Sequence, residues 1–302
     1  MNSKLNMIPW LAGVLLLTCS CGENSSSSSA DKVGKVPADL FDVSHVLSSN
    51  EVLVPAGSLS STNERRSIVN ASVNIKMRDQ KMSGITTRSF ERNYVSDYVS
   101  SNEVKTHFKK DLVTARVLIG GQPVPQPKEM APLNGKTIIF KKSGNTWMGS
   151  LEGSAASSEQ RDRIENLTRL IDGYNIRVIL GTIPRNVGDK WRIKPTKLNA
   201  YAGGLKDMDG SFGVFFRSLV IHDGYVCAEI IADFDLVGSE LAGKEMRLTG
   251  KVELLQSLEY QIPLRMKVDG NIDMTNPIMN GIGSMRTKGA IELLRETILV
   301  LP

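Results

Sequence analysis

The residues that could do chemistry in this chain are few and lie far apart. His45, His107 and His222 stand in separate contexts, without the His-x-x-x-His or Cys-x-x-Cys spacing that zinc sites use. A nucleophile elbow is also missing, because the Gly-Ser-Leu-Glu-Gly segment at 149–153 carries its serine one position too early. We therefore expect no catalytic residue, no metal and no cofactor. His222, beside a predicted hairpin turn, is expected at the surface.

Two further candidates are better explained by local structure. Asp207, Asp209 and Gly210 mimic part of a calcium loop, but Ser218 occupies the position of the closing glutamate. Aspartate and glycine are also common in the turns that precede strands, so we interpret this segment as a turn. Cys227 is the one cysteine outside the N-terminal region, and its place in a predicted strand favours a small packed residue over a reactive thiol.

The N-terminus carries a more informative pattern. Lys4 is followed by an apolar run over residues 7–17 and then by small residues, which is the order of segments in a secretory signal. An apolar run of this length is too short to span a bilayer as a stable helix. We therefore interpret residues 1–20 as a signal peptide that is removed on export.

The end of this signal resembles the lipobox of bacterial lipoproteins, in which a cysteine becomes the lipidated N-terminus. The matching segment is Leu-Leu-Thr-Cys-Ser-Cys-Gly at 16–22. Ser20 is the small residue expected before the modified cysteine and favours Cys21, whereas Leu16 lies three residues before Cys19 and favours that cysteine. We predict acylation of Cys21, for example with palmitate, and Cys19 is the alternative. An ordinary signal peptide with two chance cysteines is the competing interpretation.

The lipobox resemblance implies a location as well as a modification. Residues 21–36 contain five consecutive serines and are typical of a flexible tether, since such a segment buries too little apolar surface to fold. Each buried CH₂ of an acyl chain contributes about 0.8 kcal/mol, and two or more chains anchor a protein stably. We therefore expect a lipid-anchored protein at the outer membrane, facing the periplasm. No later segment offers the ~20 apolar residues of a transmembrane helix.

Composition limits the other partners. The chain has 302 residues, 41% of them hydrophobic, and can bury a substantial core. Its formal net charge of +5 includes the pairs Arg65-Arg66, Lys109-Lys110 and Lys141-Lys142, which we interpret as parts of solvated strand faces. Aromatic residues make up only 6%, and the basic residues form no concentrated stripe, so we expect no nucleic-acid partner.

Hydrophobicity with a period of two predicts long strands in the first half. From Ser67 onward, apolar residues alternate with polar ones, as in a strand with one buried face. The apolar set is Val69, Ala71, Val73, Ile75 and Met77. Similar runs cover residues 104–119 and 137–151, the second with a Ser-Gly-Asn turn at 143–145. We expect an antiparallel meander.

One helix is predicted over residues 158–172. Ser157 to Gln160 fit a capping box, and Gly173 stands where a helix ends. The apolar residues on one helical face are Ile164, Leu167, Leu170 and Ile171. Because such a stripe must be buried, we expect the helix to pack against the open side of a sheet.

The second half again predicts strands. Asp223-Gly224 suits a type I′ hairpin turn, in which both central residues need positive φ. The register that this turn sets is Leu219 beside Ala228, Val220 beside Cys227, Arg217 beside Ile230 and Phe215 beside Ala232. A further alternating strand is predicted over 258–268, joined to 246–254 across Gln256-Ser257, and a last one over 285–300.

Together these elements predict a mainly β fold: a large curved antiparallel sheet, or sheets, or a half-barrel, with one packed helix. We expect residues 37–302 to form the β-rich domain. Two sheet halves, 67–156 and 183–302, joined by the helix at 158–172, are one arrangement that the pattern allows.

The segment Ile-Pro-Arg-Asn-Val-Gly-Asp-Lys-Trp at 183–191 resembles a phrase in a group of uncharacterised bacterial lipoproteins. There an apolar-Pro step and a Val-Gly-Asp-x-Trp turn open the second set of strands. We interpret Gly188-Asp189 as a turn and Trp191 as a core aromatic residue. The layout is also similar to the curved half-barrels of bacterial lipoprotein carriers, which implies an apolar concavity for acyl chains.

These observations give three hypotheses for function. The first is a non-enzymatic, membrane-anchored envelope lipoprotein that binds an apolar ligand or lipid in a curved β-sheet. The alternative is a structural or assembly module whose edge strands or apolar face dock another envelope protein. A hydrolase of unrecognised geometry is the third, and it would need a cleft with carboxylates of shifted pKa.

Overall fold

A computed structural model of the chain describes most of the region after residue 58. The described residues are 59–77, 80–100, 102–124, 132–144, 146–173, 183, 185–198, 206–240, 244–260, 262–278 and 283–300. The predicted signal peptide (1–20), the tether (21–36), and with them Cys19 and Cys21, lie outside these ranges.

Strands make up most of the described chain. In chain order the elements are β1 (Leu59–Met77), β2 (Gln80–Ser100), β3 (Glu103–Ile119), β4 (Gln122–Val124), β5 (Thr137–Ser143), β6 (Thr146–Leu151), α1 (Ser158–Gly173), β7 (Lys190–Arg192), a 3-10 helix (Pro195–Leu198), β8 (Lys206–His222), β9 (Tyr225–Glu240), β10 (Lys244–Ser257), β11 (Pro263–Ile278) and β12 (Gly283–Val300). The strands predicted over 104–119, 137–151 and 285–300 are confirmed, and the one predicted from Ser67 begins earlier, at Leu59.

The strands of the described ranges form one antiparallel sheet of twelve. Its order is β6-β5-β3-β2-β1-β12-β11-β10-β9-β8-β7, with β4 paired to the end of β3. The strands before α1 lie on one side of β1 and those after it lie on the other side. Pairing of β1 with β12 over nearly their whole length joins the two sets. The predicted mainly β class, with a large curved antiparallel sheet and a packed helix, is confirmed.

Over most of its area the sheet has one buried and one solvated face, whereas at the hairpin end of β8 and β9 both faces are buried, as adjacent Cys227 and Ala228 show. On β1, odd-numbered residues such as Val69 are buried and even-numbered ones such as Asn70 are mostly exposed. We call the buried side the inner face and the other side the outer face. The outer face carries ion pairs between neighbouring strands, for example Arg247 with Asp235 at 2.6 Å. The hydrogen bond from Arg247 lowers the pKa of the Asp235 carboxyl.

Glycines in the middle of the sheet let the strands bend. Gly250 and Gly270 lie directly opposite each other on β10 and β11, and the Phe234 ring of β9 reaches over both. A Cβ at Gly250 would lie 2.3 Å from the carbonyl oxygen of Asp269 and 2.8 Å from the Phe234 ring. Because no side chain tolerates such distances, only glycine allows the backbones to approach this closely, and the sheet can curl at this row.

Helix α1 packs on the inner face near β5 and β6. The predicted capping box is confirmed: Ser157 N donates to Gln160 Oε1 at 2.9 Å, and Gln160 N donates to Ser157 Oγ at 3.2 Å. Ile164 is buried in a cluster with Phe108, Leu133, Ile138 and Phe140. A Cβ at Gly149 would lie 2.6 Å from Ile164 Cγ2, so the glycine allows the helix to lie close to β6.

The apolar stripe of α1 is described in part. Leu167 packs beside Ile164, as predicted, whereas the side chains of Leu170 and Ile171 lie outside the described set. Within the part of the chain that the structure describes, no helix combines the length and hydropathy needed to cross a membrane.

The predicted hairpin register is correct at the turn and wrong beyond it. Asp223 and Gly224 have positive φ, 50° and 81°, and the pairs Leu219 with Ala228 and Val220 with Cys227 form as predicted. A bulge at Arg217 then shifts the register by one residue, so that Phe216, not Arg217, faces Ile230 and Val214, not Phe215, faces Ala232. The bulge keeps Phe216 on the inner face and leaves Arg217 exposed beside Glu229.

The predicted start of the strand at 258–268 is also wrong. Leu258 to Tyr260 form a turn, and β11 begins at Pro263. The alternation extends across this turn because Leu258, Tyr260 and Ile262 are all buried against the end of the sheet. Proline suits the first residue of a strand, where its missing N–H removes no ladder hydrogen bond.

Candidate functional site

The histidines singled out in the sequence do not converge on a site. His107 is exposed on β3, where Nδ1 lies 3.0 Å from Thr137 Oγ1. His222 is 7% exposed, so its predicted surface position is wrong. The turn after β10 packs against this end of the hairpin, with Leu258 N donating to Val226 O at 3.0 Å. His45 lies outside the described residues.

Cys227 is a packed residue, as predicted. Its side chain is fully buried beside Val220 and Tyr260. Burial, and secondarily the nearby Asp223 carboxylate, raise the pKa of the Cys227 thiol to about 12. The thiol is therefore protonated at neutral pH and is a poor nucleophile.

The acidic segment at 207–211 is part of a strand, so the predicted turn is wrong. It forms a bulge near the start of β8, where Asp207 has a φ of 49° and Gly210 a φ of 110°. Across the described ranges, no group of three or more His, Cys, Asp or Glu side chains is placed to hold a metal ion.

The segment at 183–191 forms the predicted turn and positions an aromatic residue. Gly188 has a φ of 96°, and Asp189 Oδ2 accepts a hydrogen bond from Asn186 N at 2.8 Å. Trp191 is half-buried against the main core, with the Arg185 guanidinium 4.8 Å from its ring centroid. These contacts stabilise the turn and hold Trp191 against the core, which is a structural role.

The sheet instead brings together residues that the sequence had not linked. Arg65 on β1 lies directly opposite Arg92 on β2 and directly opposite Arg295 on β12. We call these three residues the arginine row. Cβ atoms of directly opposed residues are about 4.5–5.5 Å apart, and like charges at that spacing destabilise a sheet. Arg65 is only 8% exposed and Arg92 only 3%, so the row belongs to the inner face.

One end of the arginine row is held by a buried carboxylate. Arg92 Nε donates to Asp111 Oδ1 at 3.0 Å, and Nη2 lies 3.0 Å from the same oxygen. Arg163 of α1 approaches Asp111 Oδ1 at 4.0 Å. Its guanidinium and that of Arg92 lie 5.4 and 4.9 Å from the centroid of the Phe90 ring. Phe90 therefore gives both cations a cation–π contact.

The other end of the row is held by neutral polar groups. Arg295 Nη2 donates to Asn63 Oδ1 at 3.0 Å, and Thr297 Oγ1 donates to the same oxygen at 2.9 Å. Arg295 Nε is buried and finds no hydrogen-bond acceptor among the described residues. Burial raises the pKa of the Tyr98 hydroxyl, while nearby Arg295 acts in the opposite direction, so Tyr98 stays neutral at pH 7.

Together these groups form a polar patch on the inner face. We define it as Ser61, Asn63, Arg65, Arg92, Ser96, Thr106, Asp111, Arg295 and Thr297. Among the described strand residues on the inner faces of β1, β2, β3 and β12, Asp111 is the one carboxylate. The patch is thus richer in guanidinium groups than in acidic groups.

The same cross-strand row becomes apolar immediately beyond Arg295. Met266 lies opposite Arg295, followed across the sheet by Leu254, Ile230 and Phe216. These residues belong to the largest hydrophobic cluster among the described residues, which we call the apolar cluster. It includes Val69, Phe212, Val214, Phe216, Ile230, Ala232, Leu248, Val252, Leu254, Ile272 and Ile291, with Phe234, Met266 and Val268 half-buried at its border. The inner face therefore places a broad apolar surface next to clustered guanidinium groups.

The sequence contained a signal for Arg65 that the prediction did not use. Adjacent strand residues point to opposite faces, so Arg65 and Arg66 cannot both be solvated where one face is buried. Arg66 is exposed as expected, but the prediction for Arg65 is wrong because it shares the odd-numbered phase of Val69 and Ala71. Lys109 and Lys141 are exposed, and Lys110 and Lys142 are half-exposed.

Comparison with known proteins gives little further guidance. No protein-family model and no curated protein matches the chain. Among solved structures, it is similar to lipovitellin, in a structure concerned with lipid–protein interactions, at a TM-score of 0.41 and 11% identity. The match covers 82% of this chain and 26% of that one, so the chain spans about a quarter of lipovitellin.

Two bacterial structures are less similar. A DUF1329 family protein from Desulfovibrio piger has a TM-score of 0.17 and 8% identity, over 85% of this chain and 92% of that one. A beta-barrel-like protein of the domain of unknown function DUF1849 from Brucella abortus has a TM-score of 0.19 and 11% identity, over 79% and 98%. All three TM-scores are low and assign neither a family nor an activity.

Proposed function

We propose that this protein is a lipid-anchored lipoprotein of the cell envelope that binds a lipid or another apolar ligand on the inner face of its sheet, without catalysing a reaction. The observation that carries the proposal is the composition of that face. The apolar cluster extends over the inner faces of β8 to β12 and meets the polar patch along one cross-strand row.

Half-buried residues mark where a ligand would enter. Phe234, Met266 and Val268 lie at the border of the apolar cluster and keep part of their surface accessible, unlike fully buried Phe216. An apolar chain laid along these residues would remove their remaining surface from water, at about 25 cal/mol per Å². Sites for apolar ligands are commonly lined in this way, with a few polar groups that fix the ligand's orientation.

The anchor in this proposal rests on the sequence. Acylation of Cys21, or of Cys19, would hold the domain at the membrane, at the outer membrane facing the periplasm, through the serine-rich tether. The resemblance of residues 183–191 to bacterial lipoproteins supports the same assignment. A lipid-binding face on a tethered domain would sample the membrane surface without leaving it.

Native mass spectrometry of the full-length protein, extracted from its membrane, tests ligand binding. The covalent anchor stays on the chain under collisional activation, whereas a bound lipid dissociates. We expect a second, non-covalent lipid. A matched pair of variants sharpens the test, because Met266 faces inward and the next residue, Lys267, faces outward beside Asp269.

Met266→Gln places an amide of similar size at the border of the apolar cluster and is expected to reduce bound lipid several-fold. Lys267→Gln is expected to leave it unchanged, since an exposed ion pair contributes little. A folded wild-type protein that carries no lipid, or equal effects of the two variants, would contradict the proposal. A lipid-free protein that crosslinks to a single envelope protein would support the alternative docking function.

The anchor is tested separately by metabolic labelling with an alkynyl fatty acid. Cys21→Ala is expected to abolish the label and release the protein from the membrane fraction, while Cys19→Ala leaves both unchanged. The reverse result would identify Cys19 as the modified residue, and a label that survives the double substitution would exclude acylation at this segment.

A further inference from the structure

We propose that the arginine row selects lipids with an anionic headgroup, a phosphate or carboxylate, which it binds while the acyl chain lies on the apolar cluster. This inference rests on the proposed lipid-binding function and adds the chemistry of the headgroup. It begins from the cross-strand row itself, where Arg92, Arg65 and Arg295 occupy three adjacent strands on one face.

Such a row is unfavourable for folding alone. Directly opposed like charges repel, and burial strengthens the repulsion because water no longer screens it. Arg65 and Arg92 are both buried, and the one carboxylate of the described patch, Asp111, lies at the Arg92 end. A face that breaks the local rules of sheet stability in this way is expected where the residues serve binding.

Two features of the row suit an anion: the N–H donors of the guanidinium groups and the fixed position of the Arg295 guanidinium. Guanidinium groups present planar forks of N–H donors that bind phosphate or carboxylate oxygens with two parallel hydrogen bonds. Arg295 contributes one N–H donor to such a fork, since its buried Nε has no acceptor among the described residues. The hydrogen bond from its Nη2 to Asn63 Oδ1 and the contacts of Asn63 with Thr297 fix the position of the guanidinium.

The position of the row favours a lipid over a free anion. Arg295 lies directly opposite Met266, and Met266 lies opposite Leu254, so the first apolar side chains are one strand away from the guanidinium. Strand β12 itself changes from Ile291 and Leu293, which are buried, to Arg295 two residues later. A ligand with a charged end and an apolar chain would satisfy both surfaces at once.

The test measures the affinity of the purified mature protein for three probes: dodecyl phosphate, dodecanol and inorganic phosphate. We expect wild-type protein to bind dodecyl phosphate at least tenfold more tightly than dodecanol, and inorganic phosphate more weakly than either. Arg295→Met keeps the apolar stem and is expected to remove most of that preference while leaving the affinity for dodecanol within about twofold. Arg295→Lys, which keeps the charge but loses the fork, is expected to retain part of it.

Arg286 supplies the matched control. It is also an arginine of β12, but it faces outward and pairs with Asp273 at 2.7 Å. Arg286→Met is expected to leave all three affinities unchanged. Equal binding of dodecyl phosphate and dodecanol by wild-type protein would overturn the headgroup inference and leave the proposed function intact. Inorganic phosphate binding as tightly as dodecyl phosphate would overturn it in favour of a free-anion site, and no binding of either dodecyl probe would contradict the proposed function itself.

Discussion

The polar patch and the apolar cluster lie on the same face of the same sheet and are stabilised in opposite ways. In the apolar cluster, each side chain contributes through burial and close packing, so the energy is spread over many residues. In the polar patch, buried charges depend on specific partners, as Arg92 depends on Asp111. Loss of one partner in the patch should therefore be felt more sharply than loss of one contact in the cluster.

This difference also separates stability from function. A core built for stability alone would continue the apolar row of Leu254 and Met266 across β12, β1 and β2, because replacing buried ion pairs with well-packed apolar residues is often neutral or stabilising. The inner face keeps arginines there instead. Variants that weaken one region at a time distinguish stability from function.

The largest effect is expected from Arg92→Ala, which leaves the Asp111 carboxylate buried without its main partner. We expect a loss of about 3–5 kcal/mol in the free energy of unfolding, measured by urea denaturation. The control is Arg247→Ala on the outer face, whose partner Asp235 is well exposed, and it should leave the midpoint unchanged. Equal urea midpoints for the two variants would mean that the Arg92–Asp111 pair is solvated and does not form a buried network.

Leu254→Ala tests the apolar cluster at the row that Arg295 joins. Leu254 is 2% exposed, and removal of its side chain leaves a cavity between Ile230 and Met266. We expect a loss of about 3 kcal/mol in unfolding free energy, measured as for Arg92. Thr249→Ala, on the same strand but half-exposed, serves as control. A loss below about 1 kcal/mol for Leu254→Ala would indicate that this part of the inner face is not packed.

Alkaline pH tests a third buried region, the smaller cluster that Cys227 forms with Val220 and Tyr260, without mutation of the polar patch or the apolar cluster. The arginines stay charged, whereas the Cys227 thiol has its pKa raised from 9.0 to about 12 by burial. Between those values the unfolded chain loses the proton first, so the unfolding free energy falls as pH rises and is unaffected by this group below pH 9.

We expect this group to remove about 1–2 kcal/mol of unfolding free energy by pH 10. Thermal or urea unfolding across this range measures the loss, and Cys227→Ala should reduce its slope. Tyr260 adds to the same trend, since burial raises the pKa of its phenol to about 12. A slope unchanged by Cys227→Ala would mean that the thiol does not titrate differently in the folded and unfolded states.

The smallest effect is expected at helix α1, whose Arg163 approaches Asp111 at one end of the polar patch. Ser157→Ala removes the hydroxyl that accepts from Gln160 N and should cost about 1 kcal/mol or less. Loss of this cap should increase the opening of α1 in hydrogen exchange, with little change in the apolar cluster. Arg163 links α1 to Asp111, so the polar patch should feel the change first. Equal changes in the exchange of α1 and of the apolar cluster would show that the two unfold as one unit.

Much of the fold could be predicted from local patterns. The alternation over residues 67–77, the Asp223-Gly224 turn and the capping box at Ser157 each depend on neighbours within a few positions, and each is confirmed. The errors occur where a distant contact overrides the local pattern. The bulge at Arg217 keeps Phe216 inside, and burial of Leu258 to Ile262 extends an apolar alternation through a turn.

The candidate site could be predicted only in part. Period two assigns Arg65 to the buried face as soon as the strand is extended back from Val69, and the same phase assigns Arg295 to the face of Ile291 and Leu293. Nothing in that pattern tells which strands are adjacent. The carboxylate partner of Arg92 and the contact between Arg163 and Phe90 depend on how β2, β3 and α1 pack together.

The sequence by itself therefore determined which residues lie on which face, because the direction of a side chain follows from backbone geometry along a single strand. Only the tertiary structure decided which residues meet. Asn63 and Arg295 are 232 positions apart and form a hydrogen bond because β1 pairs with β12. That pairing is set by burial of the whole sheet, and it is what turns three separate arginines into one row beside an apolar surface.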